Sequence, residues 1–310
     1  MKDLCDLFGS FMGIHKKKYP RVFTIETVLG CNLRCPECAL GGGHITRRQG
    51  VMSFDRFKIV ADRIRPYAKY LYLHLWGEPL LNKDIFKIIE YASKICKTNI
   101  STNGMLVTEE IANKLICAGT SDIIVSVDGI TQAVYEKYRT GGNVEQALRA
   151  VKYLVDAKKK FDSDVNIIPQ FIVFEHNQLE MDGFSRYCEN LGVEPSFKAP
   201  YIRDESKFKY SSFREYVRQP FSDKDKYEEA LMNCEDLTNV FTIDIDGNVT
   251  MCCYDANSEV VFGNIFEQSV QEIYYGEKHQ QFLKMVKERK MCPDFCKKHC
   301  LLYKFVPENC

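Results

Sequence analysis

The sequence has no surplus of either charge: Lys and Arg together number 42, and so do Asp and Glu. A chain so balanced has no global field to draw it to nucleic acid or an anionic membrane. It has no apolar run long enough to cross a bilayer. The opening MKDLCDLFGSFMGIHKKKYP holds only a short, interrupted apolar patch, and lacks the apolar run and cleavage site of a secretory signal peptide. These absences exclude nucleic-acid and membrane partners and predict a soluble, cytoplasmic protein. At 310 residues there is room for one large α/β unit or two domains.

Cysteine, by contrast, is abundant, with fourteen in the chain. In a reducing compartment such a number needs another explanation than disulfides. Cys31, Cys35 and Cys38 fall within eight residues, in the stretch TVLGCNLRCPECALGGG. Seven more, Cys234, Cys252, Cys253, Cys292, Cys296, Cys300 and Cys310, fall in the last quarter. Cys5, Cys96, Cys117 and Cys188 are scattered, and Cys96 and Cys117 read as small buried hydrophobes. Three thiolates on one tight loop suit a 4Fe–4S cube, because full ligation needs four cysteines and three leave one iron open. Structural zinc fits less well, since it closes with four ligands. A trio of core thiols fits least, because Asn32, Arg34, Pro36 and Glu37 are poor core residues.

From about residue 20 to 200 the pattern alternates strand and helix. RVFTIETVL, YLYLHLWG, TNISTNG, DIIVSVDG, VNIIPQFIVF and EPSFKAP read as six strands. Helical spacing follows each of the first five, with Ser53 and Thr108 placed as caps and Gly119 as a stop. Six such units predict a parallel sheet with right-handed crossovers, closed or open, whose chemistry lies at the C-terminal strand ends. The unusual residues obey that rule: the cysteine loop follows strand one, Gly77-Glu78-Pro79 strand two, Thr102-Asn103-Gly104 strand three and Asp128-Gly129 strand four. Residues 201–230 read as a connector with a solvated face and only weakly as a substrate flap. VFTIDIDGNVTMCCYD reads as a hairpin, and SVQEIYYGEKHQQFLKMVKERK as one helix opening with a Ser269–Glu272 capping box.

Cys31-x3-Cys35-x2-Cys38 after a first strand, with Gly77-Glu78-Pro79 after the second, resembles the radical S-adenosylmethionine (SAM) superfamily. The resemblance implies a partial (β/α)6 TIM-like barrel over residues 20–215, after an N-terminal extension at 1–19. It also implies a 4Fe–4S cluster whose open iron chelates SAM, and reductive cleavage of SAM to methionine and a 5′-deoxyadenosyl radical. Gly77, Glu78 and Pro79 match the motif that meets the SAM amino group. Ser101, Thr102 and Asn103 match the ribose and amino-acid contacts, Ser126 and Asp128 lie at the next strand end, and Arg139 resembles an arginine that pairs with the SAM carboxylate. One departure stands out: the family usually has an aromatic residue just before the third cysteine, and this chain has Glu37. The adenine contact must therefore differ.

The C-terminal cysteines resemble the SPASM/twitch extension of the same superfamily, here residues 216–310, which binds auxiliary 4Fe–4S clusters. Cys234-x12-Gly247-x4-Cys252 fits its opening signature, while Cys292-x3-Cys296-x3-Cys300 fits loosely. The ligand set implied for one cluster is Cys234, Cys252, Cys296 and Cys300, leaving Cys292 and Cys310, with Cys253, for a second. Such relatives need an external one-electron reductant such as flavodoxin or ferredoxin. They oxidise small molecules, or they cross-link or oxidise peptides and sulfatases. Dehydrogenation of a sugar-like or aminocyclitol-like substrate is slightly favoured; peptide maturation, radical epimerisation and simple electron carriage are the alternatives. His74, Glu175 and His176 are candidate bases near strand ends, and Cys188 and Cys253 candidate hydrogen donors, none singled out by the sequence.

Overall fold

The computed structural model describes residues 19–217, Cys234 and residues 238–287. Strands β1 (Val22–Ile25), β2 (Val28–Leu29) and β3 (Gly50–Val51) bracket the cysteine loop. Then β4 (Tyr70–Tyr72), β5 (Lys97–Thr102), β6 (Asp122–Ser126), β7 (Asn166–Ile172) and β8 (Ser196–Lys198) alternate with helices. These are α1 (Phe54–Ile64), α2 (Ile85–Ser93), α3 (Glu109–Cys117), α4 (Gln132–Tyr138), α5 (Val144–Lys160) and α6 (Met181–Leu191). The C-terminal part adds β9 (Val240–Ile243), β10 (Asn248–Thr250), β11 (Val261–Asn264), α7 (Val270–Tyr274) and α8 (Glu277–Lys287).

β1, β4, β5, β6, β7 and β8 lie side by side in that order, all parallel. The end strands of the nine-stranded sheet, β8 and β11, do not pair with each other, so the barrel is partial. Each helix turns an apolar stripe to the sheet; α5 buries Val144, Ala147, Ala150, Val151, Leu154 and Val155. Each fully buried Val or Leu there contributes roughly 1.5–3 kcal/mol over an exposed one. Ser53, Thr108 and Asn143 accept backbone N–H groups at the starts of α1, α3 and α5, so the strand ends pass into helix without orphaned donors.

Two elements differ from expectation. The first predicted strand breaks at Glu26-Thr27, because the Glu26 side chain is buried against Arg47 and Thr27 donates its hydroxyl to the Leu73 carbonyl at 2.9 Å. Val28 and Leu29 then pair with β3. The predicted last helix divides at Tyr275-Gly276 into α7 and α8, although its Ser269–Glu272 capping box forms as expected.

The C-terminal hairpin extends the barrel sheet. β9 runs parallel to β1, with Phe23 opposite Phe241 and their rings edge-on at 6.0 Å. Phe241, Ile243, Val249 and Ile273 belong to the same apolar core as Phe23, Leu71, Ile100 and Phe171.

Candidate functional site

The C-terminal ends of β1, β4, β5 and β6 enclose a cavity of about 210 Å³. Cys31, Cys35 and Cys38 line it, all free of disulfides. The loop that carries them is wound tightly: Cys38 N–H donates to Cys35 O, Gly42 N–H to Cys38 O, and His44 N–H to Ala39 O. A Cβ at Gly41 would stand 2.5 Å from the Cys35 carbonyl oxygen, so only glycine lets the loop fold back on itself. The thiols are also electrically coupled. Burial pushes Cys35 up to about 11, against the pull of Arg139, and raises Cys31 as well. N–H groups already point at the sulfurs: Leu33 N to Cys31 Sγ at 3.4 Å, Asn103 Nδ2 to Cys31 Sγ at 3.7 Å, and Arg139 Nη1 to Cys35 Sγ at 3.8 Å. Three sulfurs that share one cavity, Cys35 buried and Cys31 and Cys38 half-buried, with N–H groups aimed at two of them, are a donor set that fits a thiolate-held iron–sulfur cluster.

Of the expected SAM contacts, Gly77, Glu78, Ser101, Thr102, Asn103, Ser126 and Arg139 line this cavity; Pro79 and Asp128 do not. A Cβ at Gly77 would lie 2.3 Å from the Val28 carbonyl oxygen, which explains the glycine of Gly77-Glu78-Pro79. Glu78 is 2 % exposed and works as a strut: Oε1 accepts from Thr102 Oγ1 at 2.8 Å and Leu80 N at 3.2 Å, and Oε2 from Asn103 N at 2.8 Å. Pro79 opens the short turn that follows. Arg139 caps the end of α4 and is no surface arginine. Its Nε lies 2.5 Å from Asp128 Oδ2, and Asp128, itself fully buried, accepts Ile172 N–H on its other oxygen at 2.6 Å. Burial raises Asp128 above the usual carboxylate range, while Arg139 pulls it back down. Asp128 thus stands behind Arg139 and aims it.

A second cavity, about 270 Å³, adjoins the first across a shared wall of Cys38, Trp76, Tyr138, Gln170 and Ile172. Its far side is Lys198, Tyr201, Arg203 and Tyr254, with Glu37 at the junction. Glu37 is 5 % exposed, and its carboxylate accepts the backbone N–H groups of Arg203 and Asp204. The residue that replaces the family's aromatic therefore ties the chain after β8 to the cysteine loop. In the connector expected at 201–230, the described residues keep an exposed face at 205–207 and 212–215, while Ile202, Phe208 and Ser211 are buried.

His74, Glu175 and His176 line neither cavity. Burial lowers both histidines to about 4, so both rings are neutral. Cys188 is buried in the core at about 12, remote from hydrogen donation, whereas Cys117 is exposed and Cys96 only half-buried. Cys252 is buried and Cys253 half-buried after β10, and Cys234 is half-buried. Cys292, Cys296, Cys300 and Cys310 lie outside the described residues.

The cysteine loop is tied to the hairpin as well. Arg47 grips Glu26 with both terminal nitrogens at 2.9 and 3.0 Å, approaches Asp244 at 3.8 Å, and donates from Nε to the Ala256 carbonyl at 2.8 Å. Asn257 exchanges hydrogen bonds with Thr46 and His44. Trp76, Arg203 and this Glu26–Arg47 pair were missed by sequence reasoning. Trp76 alone carried a signal, its place directly before Gly77.

The radical SAM superfamily profile matches residues 25–169 and that of the SPASM iron–sulfur cluster-binding domain matches residues 234–301. The chain belongs to the radical SAM superfamily. Its cofactors are accordingly SAM and 4Fe–4S clusters. The SPASM match begins at Cys234 and ends short of Cys310. The chain is 30 % identical over 150 residues to the AdoMet-dependent heme synthase of Methanosarcina barkeri, over 48 % of this chain and 43 % of that protein. It spans about half the length of the curated relatives it matches. Among solved structures, BtrN in complex with AdoMet and 2-DOIA superposes with a TM-score of 0.56 at 20 % identity, over 88 % of this chain and 89 % of that one. The anSMEcpe structure with AdoMet and the Cp18Cys peptide gives 0.61 at 19 % identity, over 94 % and 92 %. Both share the fold. Among the described residues, no helix is long and apolar enough to cross a membrane.

Proposed function

We propose that this chain is a radical SAM oxidoreductase in which Cys31, Cys35 and Cys38 hold a 4Fe–4S cluster with one iron left for SAM. Cys234, Cys252, Cys296 and Cys300 hold an auxiliary cluster, and Cys292 and Cys310 contribute to a second. The observation that carries the reading is the convergence of three thiols, free of disulfides, on the cavity that Glu78, Asn103 and Arg139 also line. When bound, the cluster and SAM supply a 5′-deoxyadenosyl radical, formed by one-electron reduction, that takes a hydrogen atom from the substrate.

The chain's own residues bind and orient. Arg139 Nη2 has no hydrogen-bond partner among the described residues, so it is available to the SAM carboxylate while Asp128 holds the guanidinium still. A carboxylate offers about four acceptor sites, and Glu78 uses three, which leaves one on Oε2 for the SAM amino group. Ser101, Thr102 and Asn103 would meet the ribose and amino-acid portion of SAM, and Ser126 lines the cavity from the next strand end. An auxiliary cluster held by Cys234, Cys252, Cys296 and Cys300 would supply an electron acceptor, so that the substrate is oxidised by two electrons and the product is two hydrogens lighter. An external one-electron donor such as flavodoxin or ferredoxin starts each turnover.

The shared fold does not choose the substrate, since one neighbour holds 2-DOIA and the other a peptide. A cavity of about 270 Å³ suits a small polar molecule, sugar-like or aminocyclitol-like, better than several peptide residues. Anaerobically reconstituted protein, reduced with dithionite, is expected to turn SAM into 5′-deoxyadenosine and, with substrate, to give a product two hydrogens lighter. Absence of 5′-deoxyadenosine would refute the radical reading. A product isomeric with the substrate in ordinary water, gaining one deuterium in heavy water, would replace oxidation with epimerisation.

A further inference from the structure

Asn177 lies in the turn after β7, fully buried, and lines neither cavity. Its carboxamide is almost wholly engaged. Nδ2 donates to the Asp128 carbonyl oxygen at 3.0 Å and to the Ile172 carbonyl oxygen at 2.9 Å, and Oδ1 accepts from Phe174 N at 2.8 Å. These bonds fall where the sheet stops supplying partners. The last registered pair between β6 and β7 is Ser126 with Gln170, and Val127 N–H still donates to the Gln170 carbonyl oxygen at 2.9 Å. One residue later Asp128 stands at φ +33°, in the left-handed region that residues other than glycine rarely occupy. Such a conformation persists only where its surroundings hold it. Here the hold has two parts. Asp128 Oδ1 accepts Ile172 N–H at 2.6 Å, and Asn177 is the one donor to the Asp128 carbonyl oxygen among the described residues.

The backbone at residue 128 decides where the Asp128 carboxylate points, and it points at Arg139, with Oδ2 2.5 Å from Nε. At an ordinary negative φ the side chain would leave the chain in another direction and the guanidinium would lose its anchor. Asn177 reaches the arginine by a second route as well. Phe174, whose N–H it accepts, packs its ring 4.7 Å from that of Tyr138, the residue before Arg139.

We propose that Asn177 is a positioning residue for SAM binding. It touches neither SAM nor substrate; it holds Asp128 in the left-handed turn from which that carboxylate aims Arg139 at the SAM carboxylate. The inference rests on the assignment of Arg139 to that carboxylate under the proposed function. A buried asparagine that only closed a turn would affect every ligand of the cavity alike, whereas a positioning residue affects recognition of the carboxylate.

Equilibrium binding to anaerobically reconstituted protein, with SAM and decarboxylated SAM as probes, separates the two. Decarboxylated SAM keeps the adenosine, sulfonium and amine and lacks the group that Arg139 meets. Asn177→Leu, of similar size without hydrogen-bonding groups, is expected to weaken SAM binding at least about tenfold and decarboxylated SAM binding less than about threefold. Asn177→Ser, with one donor in place of two, should fall between wild type and Asn177→Leu. Arg139→Gln sets the scale of a lost carboxylate contact. Adding Asn177→Leu to it should weaken SAM binding by no more than about a further twofold, because both substitutions act on one contact. Circular dichroism and iron content establish that each variant is folded and loaded, and Asn177→Ser carries the test if Asn177→Leu is not. Equal weakening of both probes, or unchanged SAM binding in a folded Asn177 variant, overturns the proposal. The Arg139→Gln arm tells that failure from failure of the reading beneath it. If Arg139→Gln loses the preference for SAM over the decarboxylated probe while the Asn177 variants keep it, the positioning role alone falls. If Arg139→Gln keeps the preference, or wild type binds neither probe, the assignment of Arg139 falls and the proposal falls with it.

Discussion

The floor of the site and its wall are built differently. On the floor, at the ends of β1, β4, β5 and β6, charges arrive already matched: Arg139 with Asp128, Glu78 with three donors. On the wall, at residues 198–203, Lys198 and Arg203 line a second cavity, and the Arg203 terminal nitrogens have no hydrogen-bond partner among the described residues. A floor fixed in advance needs no reorganisation when the same cofactor returns at every turnover. A wall with unspent donors supplies recognition only when a complementary partner arrives.

Four substitutions sharpen that contrast, taken from the largest expected effect to the smallest. Replacing Cys31, Cys35 and Cys38 together by alanine should reduce 5′-deoxyadenosine to background and lower the iron content by about four per chain, while auxiliary iron stays bound. Iron analysis and chromatography of the products check both halves. Next comes Asp128→Ala, which leaves Arg139 buried without its anion and should cost about 3–5 kcal/mol in denaturant titrations. A loss under about 1 kcal/mol would mean that the floor is not organised around this pair.

Arg47→Met should cost less, about 3 kcal/mol at neutral pH, because the stranded Glu26 can take up a proton and become neutral. The sign of its pH dependence follows from Glu26. Burial raises the carboxyl in the folded state above its ordinary value of 4.5, even with Arg47 opposing. The folded chain therefore binds this proton more tightly than the unfolded chain, and stability falls as pH rises through the raised value. Without Arg47 the rise is larger, so the gap between variant and wild type should narrow as pH falls from about 8 toward about 5. Thermal melts across that range decide; a gap that widens toward acid would contradict the assignment. The smallest effect is expected for Glu37→Gln. It keeps an acceptor for the amides of residues 203 and 204 but loses the charge, worth about 1 kcal/mol. It should show as a loss of that size in denaturant titrations, with SAM affinity little changed.

Most of the floor was legible in the sequence because its signals are local. The Cys31-x3-Cys35-x2-Cys38 spacing and the polar residues after each strand follow short-range rules, as do the six strands and the cap residues Ser53 and Thr108. What forces the glycine at Gly77, by contrast, is the distant Val28 carbonyl oxygen. The wall was not legible, because what makes it a wall is long-range. Arg203 meets Glu37 across 166 residues, and Arg47 meets Ala256 across 209. Nothing beside Arg203 in KAPYIRDE distinguishes a cavity-lining arginine from a surface one. The break at Glu26-Thr27 was hidden for the same reason: a β-rich run predicts a strand until a buried ion pair from elsewhere interrupts it. His74 and His176 erred in the other direction, since a histidine near a strand end resembles a base until its burial is known.

The central claim is that the three-cysteine loop and the strand-end floor together present an open iron to SAM. Electron paramagnetic resonance of the dithionite-reduced protein, recorded with and without SAM and then with SAM labelled with ¹⁵N at its amino group, tests this most directly. The account predicts that SAM changes the cluster signal and that the label appears as a nitrogen hyperfine coupling, both absent from the triple-alanine protein. A cluster signal indifferent to SAM, with no coupling from the label, would contradict it.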